Sequence, residues 1–223
     1  MIIRVIDFET TGFPPDASVC EAAFVDVKDG LCRDSWSALV KPTTPMTIEA
    51  LATHHIPEQD AISFGISWDQ AYDTICGVDP IHRPADFFAA HHADFEKVFF
   101  CPAGSKWIDT LKVALRLWPD SPSHSNQVLR YYLNMDLGEA AMPPHRAAPD
   151  AYVTARILIE AMKGASIDDI LKWSEEPPYL TKLTFGKHKG QKFSEVPHGY
   201  LEWMLKQDME PGVIAAAKRE LGR

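Results

Sequence analysis

The chain opens on a short β-branched apolar run, Ile2-Ile3-Arg4-Val5-Ile6, that gives way to acids and turn residues at Asp7-Phe8-Glu9-Thr10-Thr11-Gly12. A run of this kind, bounded by turn residues, predicts a buried strand. Strand alternation sends Asp7 and Glu9 to one face and Phe8 to the other, so two carboxylates converge where the strand meets solvent. Val19 to Val27 and Ser35 to Val40 show partial alternation, and Asp29-Gly30 between them suits a tight hairpin turn. The period then becomes helical. Ile48 to His54 reads as a short helix, and Ser67-Trp68-Asp69-Gln70 has the form of a capping box for a helix reaching about Cys76. Phe87 to His91 reads as a buried strand, Ala93 to Phe99 as the helix leaving it, and Lys106 to Ile108 as a brief strand. Asp109 to Trp118 follows as a helix that Pro119 stops. Ser125 caps a helix over Gln127 to Leu133. The longest helical pattern runs to Met162, with Pro149 at its first position and Gly164 as its stop, and Ser166 with Asp169 opens a further helix to about Trp173. Antiparallel strands followed by strands alternating with helices predict a mixed, helix-covered sheet.

Composition narrows the class. At 223 residues and 46% hydrophobic, the chain has room for one good core and a smaller appendage. It has no apolar run of about 18 residues and no signal-like N-terminus, so a soluble, cytoplasmic protein is expected. Cys20, Cys32, Cys76 and Cys101 are widely spaced and are expected to be reduced. The net charge of -9 excludes a simple basic nucleic-acid binder. The charge is uneven, however: residues 174–223 hold eight Lys or Arg against seven Asp or Glu, which leaves -10 on residues 1–173. Lys182, Lys187, Lys189 and Lys192 fall within eleven residues that contain no acid. Glu175-Glu176-Pro177-Pro178 reads as a linker. The expected division is a main domain over 1–173, a linker over 174–181 and a small C-terminal module over 182–223.

Convergent carboxylates repel unless a cation lies between them, and hard oxygen ligands suit Mg²⁺ or Mn²⁺ better than zinc. The acidic pair at 7 and 9, taken alone, reads more readily as a solvated strand end. Two later groups change the picture: His91-His92-Ala93-Asp94-Phe95-Glu96 just past a strand end, and His145 followed five residues later by Asp150. On a helix Asp94 and Glu96 diverge by about 200°, so one of them at most faces a site shared with Asp7.

The order of these motifs resembles the DEDDh exonucleases, built on the ribonuclease H-like fold. The segment Trp107-Ile108-Asp109-Thr110-Leu111 through Pro119 and the tail Leu183-Thr184-Phe185-Gly186-Lys187-His188-Lys189-Gly190 resemble the exonuclease X-like branch of that family. The resemblance implies an α/β fold, with a mixed five-stranded sheet flanked by helices on both faces and a small C-terminal α+β module. It implies that Asp7, Glu9, the third acid and Asp150 hold two divalent cations, Mg²⁺ or Mn²⁺, with His145 as general base. The implied activity is release of nucleoside 5′-monophosphates from a DNA 3′ end, a single-stranded terminus being the natural partner, with no membrane involved. An exoribonuclease, or a catalytically weak nucleic-acid-binding or polymerase-associated module, remains the alternative. Alignment on Phe95 makes Glu96 the third acid where the family usually has aspartate, with Asp94 as its rival. The glutamate's extra methylene extends its carboxylate by roughly 1.5 Å. The resemblance also places Phe8, Thr10, Gly12, His54, His92 and Phe95 around the terminal nucleotide, although Phe8 and Phe95 are equally natural core residues. The lysine-rich tail loop reads either as a phosphate-tracking element or as a solvated turn.

Overall fold

The structure, a computed structural model, describes residues 1–223. Strands β1 (Ile3–Thr10), β2 (Val19–Lys28) and β3 (Leu31–Leu39) form an antiparallel meander. β4 (Phe87–Ala90) pairs parallel to β1, and β5 (Trp107–Asp109) parallel to β4, giving the order β3-β2-β1-β4-β5. The hairpin between β2 and β3 turns at Asp29 and Gly30, both with positive φ (54° and 71°), as a two-residue primed turn requires. Register with β2 starts β3 at Leu31, earlier than Ser35, because the exposed strand lacks an apolar signal there.

The helices in chain order are α1 (Ile48–His54), α2 (Glu58–Phe64), α3 (Trp68–Cys76), α4 (Ala93–Phe99), α5 (Thr110–Leu117), α6 (Asn126–Tyr132), α7 (Ala147–Gly164), α8 (Ile167–Glu175), α9 (His198–Met204) and α10 (Pro211–Glu220). The capping box at Ser67 and Gln70 forms as its spacing predicts. Sequence pattern misses α2, which has no side-chain cap and buries only Ala61, and α10, which begins at Pro211 behind Glu210 with no side-chain cap. α7 starts two residues before Pro149, and the proline is accommodated because first-turn N–H groups have no intrahelical partner.

Alternation along β1 divides the molecule. Ile3 and Val5 join Ala23, Val25 and Val27 of β2 in a core under α7, where Ala147, Ala151 and Ala155 form a small-residue stripe facing the sheet. Asp7 and Glu9 continue the Ile3–Val5 face, so the strand aims its acids toward α7. Ile6 and Phe8 point the other way, into a second core with Phe24, Phe88, Phe100 and the α3 residues Ala71 and Ile75. Arg4 lies on this second face and is fully buried. It pairs with its register partner Asp26 through two 2.7 Å bonds and donates to the carbonyls of Ile75 (2.8 Å) and Arg83 (3.0 Å). Its guanidinium also lies 3.9 Å from the Phe24 ring centroid. One buried cation thus holds the sheet, the C-terminal end of α3 and the loop after it.

After Pro178 a separate cluster forms from Leu183, Phe193, Val196, Leu201, Met204, Val213, Ala216 and Ala217. Its β content is a single antiparallel bridge, Lys182 to Lys192. The segment meets the main body at Tyr179, whose ring lies between Arg116 (4.9 Å) and Arg219 (4.1 Å), while Arg116 pairs with Glu176.

Removing one member of the Arg4–Asp26 pair leaves an uncompensated buried charge, so Asp26→Ala is expected to lose about 3–5 kcal/mol in urea unfolding. The Arg4→Met/Asp26→Leu double variant is expected to lose less than Asp26→Ala alone. A double variant as destabilised as the single would show that the pair does not act as a unit.

Candidate active site

Three elements bring the acids together. Asp7 and Glu9 come from the end of β1, and Asp150 from the first turn of α7. Each offers one carboxylate oxygen, and these atoms lie within 4.8 Å of one another. Glu96, one turn into α4, lies outside this trio but is close enough to raise the pKa of Asp7. Asp94 is turned elsewhere: it pairs with Lys97 at 3.2 Å and Lys112 at 3.3 Å, and these cations hold its pKa down despite partial burial. Of the two candidate acids in this motif, Glu96 is the one the helix buries toward Asp7.

Burial and crowding set the electrostatics. Burial is the largest cause raising Asp7 well above the usual carboxylate range, followed by the charges of Glu9, Asp150, Glu96 and Glu21. Glu9 is pushed to about 8 by burial and by Asp150 and Glu21, with Arg146 opposing. Glu96 is likewise pushed to about 8, chiefly by burial. Asp150 is raised by burial, although the His145 backbone N–H, donating to its Oδ2 at 2.8 Å, opposes this. Glu96 Oε2 and Asp150 Oδ1 are buried with no hydrogen-bond partner. Orphaned, mutually repelling carboxylate oxygens are the donor set a hard divalent cation takes up, so the residues present fit such an ion.

His145 is exposed in the loop before α7, with left-handed backbone (φ 60°), and its side chain makes no hydrogen bond. Its backbone is held by Asp150, so the carboxylate that completes the acidic trio also fixes the histidine's loop. Two further carboxylates, which sequence motifs did not single out, brace the site. Glu21, the cross-strand partner of Glu9, accepts from Arg146 Nε (2.9 Å) and from the Ala147 backbone N–H (2.9 Å), and so pins the start of α7 to β2. Asp109 caps α5 through Leu111 and Lys112, and its other oxygen accepts from Ala93 N–H at 3.1 Å, fixing the start of α4. Only the cross-strand register and the strand-end position of these acids would have pointed to them.

Beside the acids lies a cavity of about 200 Å³ lined by Phe8, Glu9, Thr10, Gly12, His54 and Phe95, with Phe13, Thr47 and Thr53 at its edges. Thr10 Oγ1 donates to the Gly12 carbonyl at 2.7 Å, and a Cβ on Gly12 would come within 3.1 Å of Thr47 Cγ2, so the turn approaches α1 closely. His54 is buried, and Nδ1 accepts from Ile56 N–H at 3.0 Å, which leaves the proton on Nε2. Phe13, 83% exposed, extends the apolar wall outward and carried no sequence signal. His92 is not brought to this cavity. With left-handed φ (76°) it precedes α4 and lines a neighbouring cleft with Asp94, Lys112, Glu176, Pro178 and Glu210.

Because the pKa of Glu96 is raised from 4.5 to about 8, its ionisation works against the cation-free fold as pH rises through that window. Glu96→Gln is therefore expected to gain in Tm relative to the parent in EDTA, increasingly from about pH 5 to about pH 8, and to lose that advantage in excess Mn²⁺. A constant difference across pH would show that Glu96 is not held in this environment.

The sequence profile of the family described as Exonuclease (RNase_T) matches residues 5–158. Exodeoxyribonuclease 10 of Escherichia coli K12 is 34% identical over 212 residues, spanning 92% of this chain and 90% of that protein. The solved structure of exonuclease X in complex with 5′ overhanging duplex DNA superposes with a TM-score of 0.64 at 30% identity, covering 77% of this chain and 99% of the other. The nuclease domain of 3′hExo, a DEDDh family member bound to rAMP, shares the fold with a TM-score of 0.59 at 16% identity, over 74% of this chain and 92% of that one. Matched by that profile over more than half of its length and by a 34% identical relative over 92% of it, the chain belongs to the exonuclease family.

Proposed function

We propose that this protein is a metal-dependent 3′ to 5′ exodeoxyribonuclease that releases nucleoside 5′-monophosphates. The observation that carries the reading is the cluster of Asp7, Glu9 and Asp150, joined by buried Glu96, at the edge of a cavity that Glu9 itself lines. The naming of its relatives as an exodeoxyribonuclease and as an exonuclease complexed with DNA supports DNA as the substrate.

Asp7, Glu9, Glu96 and Asp150 would hold two divalent cations, Mg²⁺ or Mn²⁺, whose charge balances the four carboxylates. When bound, such ions supply an acidified water and neutralise charge on the phosphate. The remaining work falls to the protein. An imidazole nitrogen of His145 takes the proton of the attacking water, a contribution typically worth ~10²–10⁴-fold. The Thr10-to-Gly12 turn and Phe8 hold the terminal sugar and base, with His54 closing the inner wall as a neutral ring. Phe95, helped by Phe13, stacks on the terminal base without reading its identity. His92 serves the flanking cleft rather than this pocket. Four free cysteines fit a reducing compartment, and no helix is long and apolar enough to cross a membrane. We assign the protein to the cytoplasm. We also take residues 1–173 as the nuclease domain and 182–223 as a separate module, joined through 174–181.

Asp7→Ala and His145→Ala are expected to reduce release of mononucleotides from 5′-labelled single-stranded DNA by at least ~10²-fold in Mg²⁺, with the fold intact by circular dichroism. RNA of the same sequence should be degraded more slowly. Parent-like rates in either variant would overturn the assignment, and faster RNA degradation would reverse the substrate. For the third acid, Glu96→Gln is expected to abolish turnover and Asp94→Asn to leave most of it. The opposite pattern would exchange their roles.

A further inference from the structure

The C-terminal segment exposes a surface that the nuclease site does not use. Its loop Phe185–Gly190 is closed by Leu183 N–H to the Gln191 carbonyl (2.9 Å) and Gly190 N–H to the Leu183 carbonyl (2.7 Å). Gly186 and Gly190 turn it with positive φ (66° and 88°). A Cβ on Gly186 would come within 2.9 Å of the Tyr200 hydroxyl, so glycine there lets the tyrosine lie directly against the loop. His188 packs edge-on to Tyr200 at 4.7 Å, and Tyr200 lies 5.1 Å from Trp203 at a shallow 36°.

Helix α9 buries Leu201 and Met204 in the segment's own core, Tyr200 packs half-buried against that core, and the Trp203 indole remains 45% exposed. Lys187 and Lys189, both exposed, flank His188 on the loop, with Lys182 and Lys192 paired across the adjacent bridge. None of the four forms an ion pair with a carboxylate. Glu202, the acid between Tyr200 and Trp203, is tied to Arg223 at 3.1 Å. Unpaired cations beside an exposed indole backed by a half-buried tyrosine, on a protein whose other 173 residues carry -10, are complementary to a flexible polyanion bearing planar rings.

We propose that Tyr200, Trp203, Lys187 and Lys189 form a second binding site, for single-stranded DNA, separate from the site that cuts the 3′ end. Unpaired bases stack on Trp203 and Tyr200, and the phosphates follow the two lysines. A duplex hides its base faces and would use only the lysines. The choice of DNA rests on the exonuclease reading; the site itself rests on the geometry of the segment. Its consequence is that strand length beyond the terminal nucleotides adds affinity, so the enzyme holds a long overhang between cleavage steps.

The test uses the full-length protein in EDTA, with fluorescence anisotropy of a labelled oligothymidylate of about 30 nucleotides, and in Mg²⁺ with hydrolysis of a dinucleotide too short to span both sites. Trp203→Ala is expected to weaken binding of the long strand at least fivefold, and Trp203→Phe to recover part of the loss. Lys187→Gln/Lys189→Gln is expected to weaken it and to reduce the slope of log affinity against log salt by about 1.4, at about 0.7 per phosphate contact. All three variants should hydrolyse the dinucleotide at the parent rate. Unchanged long-strand affinity in both Trp203→Ala and the lysine variant overturns the second site while leaving the nuclease reading intact. Weakened binding in a protein that cleaves nothing in Mg²⁺ or Mn²⁺ supports the second site and overturns the nuclease.

Discussion

Mutual repulsion among buried carboxylates is the constraint around which this structure is arranged. Asp7 and Glu9 gain nothing for the fold by lying under α7. Burial raises both, and Asp150 and Glu21 raise Glu9 further. Such an arrangement persists only because neighbouring contacts hold it. The alanine stripe of α7 lets the helix lie close on the sheet. Glu21 with Arg146 fixes the helix start, and Asp109 fixes the start of α4. The cores on both faces of β1 supply the apolar burial that offsets the strain at its end. The site is therefore a place where folding stability is given up for affinity toward a cation.

The same logic explains why the two acids of the Asp94–Glu96 pair differ so sharply. Both are carboxylates in the first turn of α4, where the helix dipole favours negative charge. One faces solvent and two lysines and is held ionised; the other is sunk toward Asp7 and resists ionisation. Two residues of separation on a helix suffice to give them opposite chemistry.

Much of this could be read from the chain. The strand-end acids, the His145-to-Asp150 spacing and the core strands follow from alternation and motif order, and the sheet forms as the switch from hairpin to strand–helix alternation predicts. What stayed hidden depends on partners far away in sequence. Arg4 sits in an apolar run and gives no sign that Asp26, Ile75 and Arg83 surround it. Asp94 and Glu96 differ because burial raises Glu96 while Asp94 meets Lys97 and also Lys112, which comes from another helix. His92 lies away from the cavity beside the acids, its backbone left-handed as α4 begins, a conformation that residue type alone does not signal. α2 and α10 lack the side-chain caps by which helix starts are recognised.

The clasp between Glu21 and Arg146 joins residues 125 positions apart. During synthesis, the first strands leave the ribosome long before the segment that completes the acidic trio. Until that segment arrives, the nascent chain carries acids without their histidine, their fourth carboxylate or the clasp that aligns them. A polypeptide emerging beside messenger and ribosomal RNA is thus born without a cutting edge. It acquires one only after about two thirds of its length has been made.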